Sequence, residues 1–269
     1  MLVLDWAEFA GPPSDRRGKP SAMTIGVFDG VHRGHQALIR KVVERGPFPT
    51  VITFRQNPKS ILNAESYEGD ILSPVQKLEC LEALGVERAI LIDFSGNFSK
   101  LKGREFIDTL KNRGNLVFLA IGRNFRCGYK LDTDAACIQA IGEAGGIAIE
   151  VIPPLGEGHG PVSSTRIRSA ILKGNMEEAS CLLGRNVVLD LRGIQGEKRE
   201  EGFLYKPALR NRVFAREGSF PVVLYRKDSS EGQKMEIRIS GEGVCIPLKD
   251  DCSYIECIEF ISGQAVSKN

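Results

Sequence analysis

Short apolar runs alternate with segments of helical periodicity through the first two thirds of the chain. Continuous apolar runs of about four to eight residues are typical of buried strands, whereas apolar residues three or four positions apart are typical of amphipathic helices. The predicted strands are 22–28, 50–54, 88–94, 115–122 and 147–155. The predicted helices are 35–46, 74–85, 103–114, 134–146, 163–174 and 175–184. This repeated alternation predicts a parallel sheet with helices on both faces.

The pattern changes after about residue 185. Five short strand-like runs lie there between turn residues, and no helical periodicity separates them. We therefore predict an α/β domain over residues 1–185 and a small all-β domain, barrel-like or a sandwich, over residues 186–269. Ligands of parallel α/β sheets bind at the carboxyl ends of the strands. The segments that follow such ends are 28–34, 54–58 and 122–128.

The composition is that of a folded chain without a basic binding surface. Hydrophobic residues make up 42% of 269 positions, and 36 basic residues nearly balance 34 acidic ones. This balance argues against nucleic acid and anionic membranes as partners, and no apolar run approaches the roughly 18 residues that span a bilayer. We expect a cytoplasmic protein, because no secretory signal opens the chain and the seven cysteines are scattered. Cys245, Cys252 and Cys257 lie in strand-like sequence without a nearby histidine, so we assign no metal ligand.

The segment GVFDGVHRGH at residues 26–35 carries the strongest chemical signal. A strand ends at Phe28, a turn with two glycines follows, and a helix begins near Gly34. His32 and His35 are three positions apart, so both can project from the first helical turn toward one ligand. A helix start supplies N–H groups and a partial positive charge, which suit a phosphate chain. A helix cap with two incidental histidines is the weaker alternative, since two of the three histidines occupy this turn.

The segment PVSSTRIRSAI at residues 161–171 is a second candidate for phosphate binding. Its three hydroxyl residues are typical of a helix N-cap, and their hydroxyl and N–H groups can hold phosphate oxygens. Arg166 and Arg168 are two positions apart and point to different faces of a helix. We expect one of them to reach a phosphate and the other to pair with acids. Capping serines are common, so this segment alone is weak evidence for phosphate binding. It becomes stronger evidence only together with the histidine-containing segment at residues 26–35.

Together the two segments resemble the nucleotidyltransferase module of the bacterial riboflavin kinase/FAD synthetase family. The His-x-Gly-His turn is shared with cytidylyl- and pantetheine-phosphate adenylyltransferases, whereas its pairing with Ser-Ser-Thr-x-Ile-Arg is much more specific to FAD synthetases. The resemblance runs from about residue 22 to about residue 184. It implies a Rossmann-like nucleotidyltransferase domain that transfers AMP from ATP to FMN, with FAD and pyrophosphate as products and Mg²⁺ bridging phosphate oxygens.

The resemblance also implies roles for individual residues. His32, His35 and Arg168 would stabilise charge during the transfer, and Asn124 would lie between ATP and the flavin. The nucleotide-binding residues would be Gly26, Val27, Phe28, Asp29, Gly30, Gly34, Ser163, Ser164 and Thr165. The flavin-binding residues would be Phe54, Asn57, Phe125 and Arg126. The two phenylalanines are equally compatible with a place in the core.

Several positions depart from the family pattern. The family usually has Asp-Pro-His-Pro where residues 55–58 read Arg-Gln-Asn-Pro, and Asn57 donates hydrogen bonds without a charge. Cys127 replaces an aromatic residue and Thr133 a glycine, whereas Asp134 is kept. The change at 55–58 leaves open a nucleotidyltransferase that uses another phosphorylated acceptor. A flavin- or nucleotide-binding regulator without turnover is a third hypothesis.

The second domain lacks a signature that the resemblance would bring with it. In the family a C-terminal β-barrel phosphorylates riboflavin, using a Gly-x-Pro-Thr-Ala-Asn segment. Here residues 206–208 read Lys-Pro-Ala, a faint echo of that segment without Thr-Ala-Asn. We therefore expect a non-catalytic β domain, in which Glu256 and Glu259 are surface charges. The oligomeric state is left open.

Overall fold

The protein is described by a computed structural model that covers residues 1–11, 19–94, 98–157, 160–206, 211–227, 229–247 and 255–261. The chain divides into two compact units. The first comprises Met1–Ala64 and Lys77–Pro161, and the second comprises Glu65–Gln76 and Val162–Asn269. No helix in the covered ranges is both long enough and apolar enough to cross a bilayer.

The first unit follows the predicted alternation of strands and helices. Its elements in chain order are β1 (Leu2–Asp5), α1 (Trp6–Ala10), β2 (Ser21–Ile25), α2 (Arg33–Arg45), β3 (Thr50–Phe54), α3 (Pro58–Leu62), α4 (Pro74–Ala83), β4 (Arg88–Ile92), α5 (Gly103–Gly114), β5 (Leu116–Gly122), β6 (Arg126–Cys127), β7 (Thr133–Asp134), α6 (Ala135–Gly145), β8 (Ala148–Ile152), β9 (Gly156–Glu157) and β10 (Gly160–Pro161). The first turn of α4 is assigned to the second unit and the rest to the first.

Six of these strands form one parallel sheet in the order β1–β4–β3–β2–β5–β8. Starting from β2, the chain builds outward through β3 and β4 on one side and through β5 and β8 on the other. The strand order therefore reverses between β2 and β5. In open α/β sheets this switch point opens a crevice at the carboxyl ends of the strands.

Both faces of the parallel sheet are covered by helices, as predicted. On one face Ala22 of β2 and Phe118 of β5 pack with Val42 of α2. On the other face Met23 and Leu119 pack with residues of α1, α5 and α6. Neighbouring residues of one strand point to opposite faces, which is why strands buried on both sides appear as unbroken apolar runs.

From residue 162 onward, the described part of the second unit contains two helices followed by an antiparallel sheet. The sheet confirms the predicted all-β region. The elements of this part are α7 (Ser164–Leu172), α8 (Met176–Leu183), β11 (Val188–Asp190), β12 (Glu197–Arg199), β13 (Gly202–Tyr205), β14 (Gly218–Arg226), β15 (Ser229–Ser240), β16 (Gly243–Ile246) and β17 (Ile255–Phe260). The seven strands are arranged in the order β11–β17–β14–β15–β16–β13–β12. Pro207 and Ala208, which resemble part of the kinase segment named above, lie outside the described residues, and so does Cys252.

The compact units divide before α7, not after residue 185. The buried faces of α7 and α8, including Ile167 and Leu182, share one apolar core with β-strand residues such as Leu224 and Ile258. A helix joins the unit with which it buries its apolar face. A packing unit need not coincide with a sequence domain, so the boundary after residue 185 stays a prediction.

Residues 65–76 are held within the second unit. Ile71 belongs to its core. The backbone of Asp70 exchanges hydrogen bonds with residues 211 and 213, at 2.6 and 3.0 Å. Ser73 hydrogen-bonds through its hydroxyl to the carboxylate of Asp190. Burial raises the pKa of the Asp190 carboxyl, but the hydrogen bonds from Arg192 and Ser73 together lower it more. Its pKa is therefore below the ordinary value.

Candidate active site

The turn after β2 has an unusual backbone. Phe28 and Val31 have φ values of +52° and +39°, and Gly30 has a φ of +84°. Such values are strained for phenylalanine and above all for the β-branched valine, whereas glycine adopts them freely. Phe28 and Val31 are fully buried, and their packing holds the strained turn in place. The predicted strand over 22–28 is therefore too long: β2 ends at Ile25, because Phe28 leaves extended conformation.

The histidine turn, which comprises residues 26–35, continues directly into α2. His32 is the N-cap residue, and its Nδ1 accepts a hydrogen bond from the backbone N–H of His35 at 3.3 Å. The N–H of Gln36 donates to the carbonyl of His32 at 2.9 Å, and the Gln36 side chain donates to the carbonyl of Val31 at 3.0 Å. These bonds satisfy helix-start groups and fix the turn against the helix.

The two imidazoles lie against each other. The rings of His32 and His35 stack with centroids 3.6 Å apart and an interplanar angle of 14°, and the edge of Phe28 meets His35 at 5.1 Å. The Nδ1 atom of His35 is buried and has no hydrogen-bond partner in the described parts of the chain. Burial lowers the pKa of His35 well below its ordinary value, and the nearby His32 and Lys77 lower it further. His35 is therefore neutral near pH 7 and can donate one hydrogen bond.

The remaining residues of the turn differ in exposure. Phe28 and Asp29 are buried, so the Phe28 ring belongs to the interior. A Cβ atom at Gly26 would lie 3.3 Å from that ring, which leaves little room for any other residue there. Gly26 and Val27 are half-buried, and the Val27 carbonyl accepts from the Thr53 hydroxyl at 2.9 Å.

The end of β3 is occupied by an aromatic cluster and a helix cap. Phe54 contacts Phe94 and Phe98 with centroid separations of 6.0 and 6.3 Å, which agrees with the alternative that it belongs to the core. Asn57 is buried and caps α3, its Oδ1 accepting from the N–H of Lys59 at 3.1 Å. The role of Asn57 as a cap was missed, although an asparagine followed by proline is a recognisable helix start.

A cleft of about 630 Å³ opens beyond the end of β5. Arg123, Asn124, Phe125 and Arg126 line it, together with residues of α6 and β8. Arg123, Asn124 and Arg126 are exposed, whereas Phe125 is half-buried against the core. Because β2 and β5 are neighbours in the sheet, this segment and the histidine turn follow adjacent strand ends at the switch point.

In the second unit, Ser163 is the N-cap residue of α7, at the helix start that the sequence predicts. Its Oγ accepts a hydrogen bond from the N–H of Arg166 at 3.3 Å. The two arginines point to different partners, as expected: Arg166 Nε pairs with Glu178 at 2.8 Å, whereas Arg168 is buried. Ser164 is half-buried and Thr165 is exposed.

Arg168 is held by a segment about one hundred positions away in the sequence. Its Nε donates to the carbonyl of Gly69 at 2.8 Å, and its guanidinium lies 5.9 Å from the centre of the Tyr67 ring. Gly69 has a φ of +103°, and a Cβ there would lie 2.8 Å from the nitrogen of Val213. Only glycine fits this approach, and local sequence patterns do not indicate that Gly69 and Tyr67 contact Arg168.

In the covered ranges, no three histidine, cysteine or acidic side chains converge in a way that would hold a metal ion. In the β sheet, Glu259 is not a simple surface charge. It accepts hydrogen bonds from Asn186 and from the Tyr225 hydroxyl, both at 2.8 Å. That contact raises the pKa of Tyr225. Glu256 is half-buried.

Known proteins similar to this chain support the resemblance. The family described as FAD synthetase matches residues 14–166, more than half of the chain. The bifunctional riboflavin kinase/FMN adenylyltransferase of Escherichia coli (strain K12) is 32% identical over 181 residues, which are 65% of this chain and 58% of that protein. The protein of the same description from Bacillus subtilis (strain 168) is 32% identical over 186 residues, 66% of this chain and 58% of that protein. The matched part thus spans less than two thirds of these relatives.

Among solved structures, a macrolide-efflux protein from Streptococcus pneumoniae has a TM-score of 0.81 to this chain. It is 20% identical in sequence, and the match covers 100% of this chain and 93% of that one. At such identity the likeness concerns the fold alone. The family match over residues 14–166 includes the histidine turn and the start of α7. The chain belongs to the FAD synthetase family.

Proposed function

We propose that this protein is an FMN adenylyltransferase that makes FAD and pyrophosphate from ATP and FMN. The observation that carries the proposal is the stacked pair of imidazoles at the start of α2, at the switch point of the parallel sheet. Membership of the FAD synthetase family supports ATP as the nucleotide and FMN as its acceptor.

The reaction requires positioning and charge stabilisation more than a strong base. An oxygen of the FMN phosphate attacks the α-phosphorus of ATP, a new P–O bond forms, and the bond to the bridging oxygen of the β-phosphate breaks. The electron pair leaves with pyrophosphate. Because the nucleophile is already an anion, the barrier lies in bringing polyanions together and in stabilising the transferred phosphoryl group.

The histidine turn binds the triphosphate in this proposal. His32 and His35 donate hydrogen bonds to phosphate oxygens, and the N-terminus of α2 adds a partial positive charge. A neutral imidazole fixed in advance by stacking reorganises little when charge develops on the phosphoryl oxygens. Gly26 and Val27 form the wall on the adenosine side.

The start of α7 holds the leaving group. Ser164 and Thr165 bind the β- and γ-phosphates with hydroxyl and N–H groups, and Arg168 supplies a permanent positive charge. ATP enters as its Mg²⁺ complex, since Mg²⁺ is carried mainly by phosphate oxygens and water. The ion neutralises phosphate charge in that complex.

The cleft after β5 holds the flavin. Its volume of about 630 Å³ falls within the common range for small-molecule sites. Asn124 lies where the two substrates meet, Phe125 bounds the ring, and Arg126 attracts the FMN phosphate. Asn57 acts on flavin binding indirectly, because its side chain caps α3.

We further propose that the β sheet of this chain does not phosphorylate riboflavin. The Gly-x-Pro-Thr-Ala-Asn segment does not occur in the sequence. Glu259, on the last described strand, accepts hydrogen bonds from Asn186 and Tyr225. Both of its carboxylate oxygens are therefore already bonded to donors of this chain.

Incubation with ATP, Mg²⁺ and either FMN or riboflavin, with chromatography of the flavins, tests both proposals. FAD from FMN and no FMN from riboflavin are the expected results. No FAD from FMN with a folded protein would contradict the first proposal, and FMN from riboflavin would contradict the second. A folded His35→Ala variant serves as the control for activity at the histidine turn.

A further inference from the structure

A buried lysine lies at the end of β3. Lys77 of α4 is only 8% exposed. Its Nζ donates a hydrogen bond to the carbonyl of Phe54 at 2.6 Å and approaches the Thr53 hydroxyl at 3.5 Å, the long limit of a hydrogen bond. Burial of an ammonium group is costly unless the group is well bonded, so Lys77 is fixed by these partners.

Thr53 links Lys77 to the histidine turn through hydrogen bonds. It is fully buried, and its hydroxyl donates to the carbonyl of Val27 at 2.9 Å. The backbone of Gly26 also donates to the carbonyl of Ile52 at 3.1 Å. The ammonium of Lys77, the end of β3 and the turn before His32 are therefore joined by a series of polar contacts of 2.6 to 3.5 Å.

The charge of Lys77 also acts on His35. Burial is the main cause that lowers the pKa of His35, followed by His32 and then by Lys77. A fixed ammonium near a buried imidazole disfavours a second positive charge there. Lys77 thus adds to the burial that lowers the pKa of His35.

We propose that Lys77 is a positioning residue for the imidazole pair: through Thr53 and the end of β3 it fixes the turn that leads to His32 and His35. The catalytic part of this inference rests on the proposed adenylyl transfer. The part that concerns the imidazoles is a property of the unliganded protein.

Histidine titration by NMR in the unliganded protein tests the inference without any activity. The variants are Lys77→Met, which keeps length and loses charge, and Lys77→Arg, which keeps charge. Lys111→Met, at an exposed position of α5, is the matched control. We expect His35 to titrate at higher pH in Lys77→Met and close to the wild-type position in the other two. An unchanged His35 titration in folded Lys77→Met would overturn the inference.

Steady-state FAD formation gives the second readout. We expect Lys77→Met to lower kcat by up to about 10²-fold, the size of effect that a small misplacement produces, with a smaller change in KM for FMN and partial recovery in Lys77→Arg. Thr53→Val, which removes the hydroxyl alone, should show a smaller loss in kcat. Wild-type kcat in both Lys77→Met and Thr53→Val would also overturn the inference. If the wild type forms no FAD, the proposed function fails, while the titration still decides the role of Lys77.

Discussion

The starts of α2 and α7 use the same local device with different chemistry. In each, a side chain at the N-cap accepts a hydrogen bond from an N–H three positions later, at 3.3 Å: His32 from His35, and Ser163 from Arg166. At α2 the imidazole of the N-cap His32 stacks on that of His35, whose pKa is lowered by burial. At α7 the group that is held in place is the guanidinium of Arg168, anchored to a backbone carbonyl.

In the proposed reaction the two helix starts would therefore have different roles. A guanidinium keeps its charge at every relevant pH and suits a highly charged leaving group. A neutral imidazole donates a single hydrogen bond, and its charge depends on its surroundings. We therefore expect variants at α7 to remove charge stabilisation, and variants at α2 to remove directed hydrogen bonds.

The largest effect is expected for Arg168→Ala. Turnover in FAD formation should fall toward the upper end of the roughly 10²–10³-fold range seen when one charge-stabilising donor is lost. The Gly69 carbonyl also loses its donor, so thermal unfolding must be measured alongside kinetics. Arg168→Lys is the control that keeps a charge but not the planar fork. A folded Arg168→Ala variant with near wild-type turnover would remove this residue from the mechanism.

His32→Ala should reduce turnover by about 10²-fold and lower the free energy of unfolding by about 1 kcal/mol, because the cap of α2 is lost. His32→Asn separates the two effects, since asparagine retains a capping oxygen. Steady-state kinetics and urea unfolding measure them. The assignment is wrong if His32→Asn restores turnover together with stability, because the histidine then acts only as a cap.

The buried His35 predicts a dependence of stability on pH. Its pKa is lowered in the folded state from an ordinary value of 6.5, so below that pH the unfolded chain binds the proton more readily. The uncharged, buried His35 therefore stabilises the folded protein in full above pH 6.5. As the pH falls from there toward the folded pKa, the free energy of unfolding decreases by about 1.4 kcal/mol per pH unit. Urea unfolding between pH 7 and 5 should show a flatter dependence in His35→Gln. Equal slopes in both proteins would contradict the burial argument.

The smallest effect is expected for Ser163→Ala. It should cost about 1 kcal/mol of stability through the lost cap and raise KM for ATP by only a few-fold, since Ser164, Thr165 and Arg168 remain. Ser163→Thr is the conservative control. A loss of turnover as large as that of Arg168→Ala would mean that the Ser163 hydroxyl contacts the substrate directly.

The fold was largely predictable because its central strands are continuous apolar runs. Residues 50–54, for example, form β3 at the bounds that the sequence predicts. The short elements β1 and α1 were not predicted. β1 is a four-residue edge strand with exposed Leu2 and Val3, so it has no buried face to mark it. The packing of α7 and α8 with the β sheet depends on tertiary contacts that local periodicity does not contain.

The candidate site was predictable where its residues are close in sequence. The spacing of His32 and His35 indicates one shared helical turn, and the structure stacks their rings. The support of Arg168 by Gly69 and Tyr67 was not predictable, because it joins distant segments. The burial that keeps His35 neutral and the place of Lys77 are also tertiary properties.

The most direct test of the central claim follows the α-phosphorus of ATP. The protein is incubated with FMN and ATP labelled at that phosphorus, and the label is traced after separation of the products. Adenylyl transfer to FMN predicts label in FAD in equal amount to the pyrophosphate released, and neither product in folded His32→Ala above a small residual rate. Label that stays in ATP or appears only in free AMP would contradict it.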